Sequence, residues 1–280
     1  MDATPIRMGQ IFSGYAAAIE NGIRRAERAM MRLAENMPIG GTAVGTGMNT
    51  HYRFSTLVCK ELSKNARVSF SEASNHFEAQ ATRDCVVEAH GELKTIATSM
   101  SKIANDIRWL GSGPRCGLSQ LSLPATQPGS SIMPGKVNPV ICESAMQMFC
   151  QVAGNDVAIT IAASGGIGSI LELNLCMPLI AERLIESIKL LAGVATILQD
   201  KLIDGLEINK EISEGLVEQS LMLGTALAPV IGYDTTARIA KEALKTGETI
   251  REIVLRDGIL DPDELDELLD FHAMTEPTSS

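Results

Sequence analysis

The sequence predicts an all-α protein: an elongated helical bundle over residues 1–207 and a small C-terminal helical domain over residues 208–280. Three observations carry that prediction. Apolar residues recur at alternating steps of three and four over stretches much longer than an average helix. Aromatic residues make up 4% of the chain and period-two alternation is scarce, which leaves little material for sheet. After Gly205 the long stripes give way to short apolar runs punctuated by Gly and Pro.

Taken in order, a first long helix is expected over about residues 7–35. The stretch GGTAVGTGMNT, Gly40 to Thr50, follows it. It lacks a GK[ST] ending and no strand precedes it, so it is not a phosphate loop but a tight helix-to-helix passage. Its small residues either bring backbone and Thr hydroxyls close to a ligand or simply pack closely. The clearest helix covers about residues 81–110, where Val86, Ala89, Leu93, Ile96, Met100, Ile103, Ile107 and Leu110 form one stripe. Further helices are expected over about residues 139–163 and 174–206. The second of these carries Met177, Ile180, Leu184, Ile188, Leu191, Ala195, Leu198 and Leu202 on one stripe, with more aliphatics beside it. So wide an apolar arc calls for burial on several sides, and self-association is the simplest way to cover it. The C-terminal domain reads as short helices over residues 210–228, 234–246, 250–257 and 262–269, with Asp234 and Asp261 as N-caps and a polar, frayed tail over 272–280.

Composition bounds the function. A chain of 280 residues buries a sizeable core without staples. Its net charge of -10 and the lack of clustered Lys and Arg exclude a nucleic-acid surface. An anionic small molecule is still admissible, because one Lys and a few oriented backbone N–H groups make a local positive pocket. The six cysteines are scattered and form no CxxC pair, which argues against a disulfide framework or metal site and for a reducing, cytoplasmic compartment. No leader-like N-terminus and no apolar run of transmembrane length is read, so a soluble chain with no membrane partner is expected.

Between the helices lies PGSSIMPGKVNPV, Pro128 to Val140. On spacing alone it fits a mobile surface loop with a solvated Lys136. It also fits chemistry. A serine acts as a base only if its alkoxide is stabilised, which takes backbone N–H groups in a tight loop and a cation nearby. Ser130 or Ser131 could fill that role, with Lys136 and Asn138 binding a carboxylate and the charge that builds on it when the neighbouring carbon loses a proton. Glu143 either favours the N-terminus of the following helix or orients and charges a histidine acid.

GSSIMPGKVNP resembles the signature of the fumarase/aspartase superfamily at eleven consecutive positions. DATP, GGTAVGTGMNT, SGPRCGLSQLSLP, QVAGNDVAI, ELN and SLMLGTALAPVIGYDTTARIAKEA extend the likeness along the chain. These segments are similar to class II fumarate hydratases, closer than to aspartases at SGPRCG, Pro128 and Cys142-Glu143. The resemblance implies four subunits sharing a twenty-helix core, each site built from three of them. It also implies reversible hydration of fumarate to L-malate in the tricarboxylic acid cycle, with neither metal nor cofactor. By the same match Ser130 is the base, while Ser131, Lys136, Val137 and Asn138 hold the substrate carboxylates. Glu143 partners the catalytic histidine.

The family's Thr-His pair would fall before Met1, and none of His51, His76, His90 and His272 occupies its position. The expectation is therefore a chain corresponding to the C-terminal part of the fold, incomplete as a single chain, with a separate chain or unrecorded segment supplying the N-terminal domain. Aspartate ammonia-lyase is the alternative within the same chemistry. A non-catalytic oligomeric subunit is the alternative outside it.

Overall fold

The computed structural model describes residues 1–66 and 68–277. Helices carry it: α1 (Met8–Ala34), α2 (Phe54–Ala66), α3 (His76–Ala81), α4 (Asp84–Leu110), α5 (Val140–Ala163), α6 (Met177–Lys201), α7 (Lys210–Glu218), α8 (Gly224–Ile231), α9 (Tyr233–Thr246), α10 (Ile250–Arg256) and α11 (Pro262–Leu268). Four two-residue strands complete it: β1 (Leu121–Ser122) antiparallel to β4 (Glu207–Ile208), and β2 (Ser169–Ile170) antiparallel to β3 (Leu173–Asn174). These pieces group into two compact units. One comprises Met1–Tyr15, Gly111–Ser122 and Glu207 onward, the other Ala16–Leu110 and Leu123–Leu206.

In the larger unit α5 packs against both α4 and α6. The buried positions of α4, Ala89, Leu93, Ala97, Met100, Ile103, Ala104 and Ile107, follow the three-and-four stripe read from sequence. Those of α5, Cys142, Ala145, Met148, Val152, Asn155, Ile159 and Ala162, do the same. Ala97, Ala104 and Ala145 are wholly buried, and their small side chains let the helices approach closely. Ile96 lies on the flank of the α4 stripe and faces the buried Gly22 of α1, where a Cβ would sit 3.7 Å from it. On α6 the inward face is Ile180, Ser187, Leu191, Val194 and Leu198, while Leu179, Ile185 and Ile188 stay exposed. Ile188 and Ala195 therefore fall off the stripe expected for this helix, which turns a narrower face inward than its apolar content suggests.

A polar layer crosses this seam. His90 Nδ1 meets Asp156 Oδ1 at 3.0 Å, and His90 Nε2 meets Ser187 Oγ at 2.8 Å. Asn155 Nδ2 donates to Ser187 Oγ (3.0 Å) and to Glu186 Oε2 (2.9 Å), and Lys94 pairs with Asp156. Burial acts to raise the Asp156 pKa, but the hydrogen bonds from Lys94 and His90 outweigh it and hold the carboxyl below its usual range.

The smaller unit closes around Leu223, Leu227, Ile239, Ala243, Ile250, Ile253, Val254, Leu265 and Leu269. Thr249 and Glu252 form a reciprocal capping box at the start of α10. Asp261 occupies the N-cap position of α11, although its side chain makes no capping bond. Asp234 is not an N-cap: Gly232 fills that position on α9, and Asp234 lies in the first turn, where its charge suits the helix dipole. The helix expected over residues 210–228 is two, because the chain breaks after Glu218 and passes through a 3-10 turn at Leu221–Leu223. The helix expected from residue 174 begins at Met177, since residues 169–174 form the β2–β3 hairpin. The helix expected from residue 81 begins at Asp84, because α3 ends on Ala81 and Thr82 is extended.

The tail is ordered as far as it is described. Asp270 Oδ1 accepts from the N–H groups of Ala273 (3.0 Å) and His272 (2.7 Å), bonds that hold its carboxyl below the usual range. Arg7 pairs with Glu276 and meets His272 at 2.8 Å, and Gln10 donates to the Thr275 carbonyl (2.9 Å). The last three positions of the tail expected to fray, residues 278–280, lie outside the described residues.

Two outcomes follow from the packing. Ile253→Ala, at a site with no exposure, is expected to lower the stability of the C-terminal helices by about 2–5 kcal/mol in urea unfolding. Asp156→Asn is expected to cost about 1–3 kcal/mol at neutral pH. Because the folded pKa of Asp156 is depressed, its contribution is fully present above the ordinary value of about 3.9 and is lost as pH falls through the folded value. Urea midpoints of the two proteins, compared at neutral pH and in acid, should therefore converge on acidification.

Candidate active site

The segment before α5 closes on itself at Gly129. Its N–H donates to the Lys136 carbonyl (2.9 Å), and its own carbonyl accepts from Asn138 Nδ2 (2.7 Å). A Cβ at position 129 would lie 2.4 Å from the Lys136 oxygen, so only glycine allows the two strands of the loop to meet. At the far side Gly135 takes a φ of +79° and Lys136 N–H donates to the Met133 carbonyl (3.2 Å). Pro139 then starts α5 as its N-cap residue, its fixed φ suited to a helix entry.

Inside this ring Ser130 Oγ accepts from the N–H groups of Ile132 and Met133, both at 3.2 Å. Two backbone donors on one hydroxyl oxygen favour its charged form, because they are already oriented when charge develops. Ser130, Met133, Lys136 and Val137 line a groove of about 410 Å³ together with residues 125–129. The structure thus brings Ser130, Lys136 and Val137 to one groove. Ser131 is exposed and does not line it, and Asn138 is spent in part on holding Gly129. Glu143 sits half-buried in the first turn of α5, also outside the groove.

The four histidines are engaged elsewhere. His51 Nδ1 accepts from Arg53 N–H (3.2 Å), His76 faces Glu72 at 3.9 Å, His90 is in the polar layer and His272 meets Arg7. Cys142, next to Glu143, is no nucleophile: burial pushes its thiol up to about 11. All six cysteines are free, and among the described residues no three His, Cys, Asp or Glu side chains converge as a metal site. No helix among them is long and apolar enough to cross a membrane.

A neighbouring groove of about 550 Å³ shares Ala125, Thr126 and Gln127 with the first and adds Ser144 and Lys201. Lys201 brings a second cation near the loop from the last turn of α6. Sequence reading missed it, since a lysine ending a helix looks like an ordinary dipole partner and only tertiary packing carries it here.

A family model described as lyase matches residues 1–154, and one described as the fumarase C C-terminus matches residues 223–276. The chain is 47% identical over 276 residues to fumarate hydratase class II 2 of Bradyrhizobium diazoefficiens, covering 99% of this chain and 58% of that protein. It is 48% identical over 280 residues to fumarate hydratase class II of Corynebacterium efficiens, covering 98% and 58%. The crystal structure of a class II fumarase from Schistosoma mansoni superposes with a TM-score of 0.92 at 36% identity, covering 100% of this chain and 60% of that one. The chain thus spans little more than half the length of the curated relatives it matches.

Gly129→Ala is expected to open the ring while leaving the helices folded. Amide exchange at the Ser130–Lys136 segment should rise by about tenfold or more, with circular dichroism unchanged.

Proposed function

The chain belongs to the lyase family, and from that premise we propose that it carries the catalytic loop of a class II fumarate hydratase, which adds water reversibly to fumarate to give L-malate. The observation that carries the reading is Ser130 Oγ under two backbone N–H groups in a groove that Lys136 also lines. In the malate-to-fumarate direction the Ser130 alkoxide takes the C3 proton. The electron pair of that C–H bond moves into the adjacent carboxylate, giving an aci-carboxylate with one extra negative charge. Lys136 stabilises that charge, and Val137 N–H, the second amide hydrogen of Asn138 and, once the site is completed around the exposed loop, Ser131 bind the carboxylates. The C2–O bond then breaks, and the hydroxide leaves as water on receiving a proton from an acid.

That acid is a histidine charged by Glu143 and supplied by residues outside these 280, from a further segment or a separate chain. Fumarate hydratases stand among the most similar relatives, at 47% and 48% identity, which favours water over ammonia as the leaving group. Exposed apolar residues support assembly. Ile23 and Met31 on α1, Val157 on α5 and Ile185 on α6 are each at least half exposed in one copy. Burying such faces in a tetramer with a shared helical core removes them from water. Ile132 on the loop, 83% exposed, would be covered by a neighbouring subunit that completes the site. Residues 208–280 then form the small C-terminal domain, and the free cysteines suit a cytoplasmic setting.

The protein isolated untagged from its source, with every accompanying chain identified by mass, is the preparation to assay. In it Ser130→Ala is expected to lower kcat by about 10²–10⁴-fold with KM for malate little changed. Lys136→Met should raise KM as well as lower kcat. The 280-residue chain alone should remove fumarate absorbance at a negligible rate. Ordinary turnover by Ser130→Ala, or by the isolated chain, would sink the respective claim.

A further inference from the structure

The Gly40–Thr50 stretch takes no part in the loop chemistry, yet it is built with care. Gln80, itself nine-tenths buried, donates through Nε2 to the carbonyls of Thr42 (2.8 Å) and Ala43. Gly45 lies against the backbone of Phe77, where a Cβ would meet N and Cα at 3.0 Å. The stretch is thereby riveted to α3 and forms one wall of a cavity of about 830 Å³. The other walls include Ile39, Phe54, Leu173 and Met177, so most of the lining is apolar.

Arg83 also lines this cavity, and it is only 9% exposed. Its guanidinium donates to the carbonyls of Thr82 (2.6 Å) and Ala79 and reaches the Met177 sulfur at 2.9 Å. All three are neutral acceptors. Glu78, the acid on α3, is turned to the Thr82 hydroxyl (2.9 Å), and among the described residues no carboxylate pairs with Arg83. Burial pulls the guanidinium pKa down from its usual value, and the charges of Cys85 and Glu78 offset only part of that effect. A buried charge without a partner is costly, and a ligand that supplies the missing charge recovers that cost.

We propose that this cavity is a binding site for an amphipathic monoanion, a small molecule whose single carboxylate pairs with Arg83 while its apolar body fills the space against Ile39, Phe54, Leu173 and Met177. One buried cation matches one negative charge, and although Thr42, Asn49, Thr50 and His51 also line the cavity, its larger apolar share favours a ligand with an apolar body over a dicarboxylate of the fumarate class. The volume suits a ligand larger than such a dicarboxylate. This site shares no lining residue with the groove of Ser130 and does not depend on the reaction assigned to that groove.

Isothermal titration of the 280-residue chain with octanoate, octan-1-ol and fumarate tests the proposal. Octanoate is expected to bind one per chain and at least about tenfold more tightly than octan-1-ol, with fumarate not competing. Arg83→Gln and Arg83→Met should lose about tenfold for octanoate and nothing for octan-1-ol, while Arg83→Lys keeps most of the affinity. Octanoate binding no tighter than octan-1-ol in the unaltered chain overturns the proposal whether or not the variants fold. So does unchanged octanoate binding in a folded Arg83→Gln. Octanoate binding that vanishes as the chain is concentrated also overturns it, since an acid from a second copy would then be the occupant.

Discussion

Helix α5 is gripped on two sides, and its register against α4 and α6 decides where everything functional ends up. Apolar packing alone would hold it loosely, because many aliphatic side chains can slide by one turn at little loss. The His90, Asp156, Ser187 and Asn155 layer cannot slide, since a shift of one turn would leave buried polar groups without partners. Wholly buried alanines on α4 and α5 permit the close approach this layer needs. Register fixed at that point is carried rigidly along a helix of 24 residues, about 36 Å.

The candidate loop and the Arg83 cavity lie at the two ends of that rod. At the N-terminal end Pro139 launches α5 directly from the ring closed by Gly129, so the orientation of Ser130 and Lys136 follows from the placement of the helix. At the C-terminal end the chain enters the β2–β3 hairpin. Buried Asn174 ties that hairpin back to the Ala162 carbonyl (3.1 Å), and Leu173 beside it joins the wall of the Arg83 cavity. A rigid element with shaped, glycine-dependent loops at its ends is a common way to combine precise placement with close backbone approach.

The loop and the cavity use the same physics with opposite signs. In the loop, backbone N–H groups converge on a neutral oxygen and prepare it to become negative. In the cavity, a positive group is held among neutral acceptors and awaits a negative one. Neither arrangement is strongly stabilising by itself. Each makes sense as preorganisation, in which folding orders the polar groups before a ligand arrives.

The amino-acid order determined the long helices, because a three-and-four stripe such as that of α4 states its own period and its own buried face. It also made the loop a candidate for the proposed chemistry, since PGSSIMPGKVNPV puts serine, lysine and asparagine among residues that force a tight turn. Tertiary structure decided what depends on distant partners. It broke the helix expected over residues 210–228, placed Gly232 and not Asp234 at a cap, and ordered the described tail through Arg7. It also chose which half of the wide α6 arc turns inward, delivered Lys201 to the neighbourhood of the loop and left Arg83 buried with no carboxylate paired to it among the described residues. Local periodicity and turn chemistry are properties of neighbouring residues and are written along the chain. Burial, charge compensation and the meeting of side chains far apart in sequence exist only once the helices have packed.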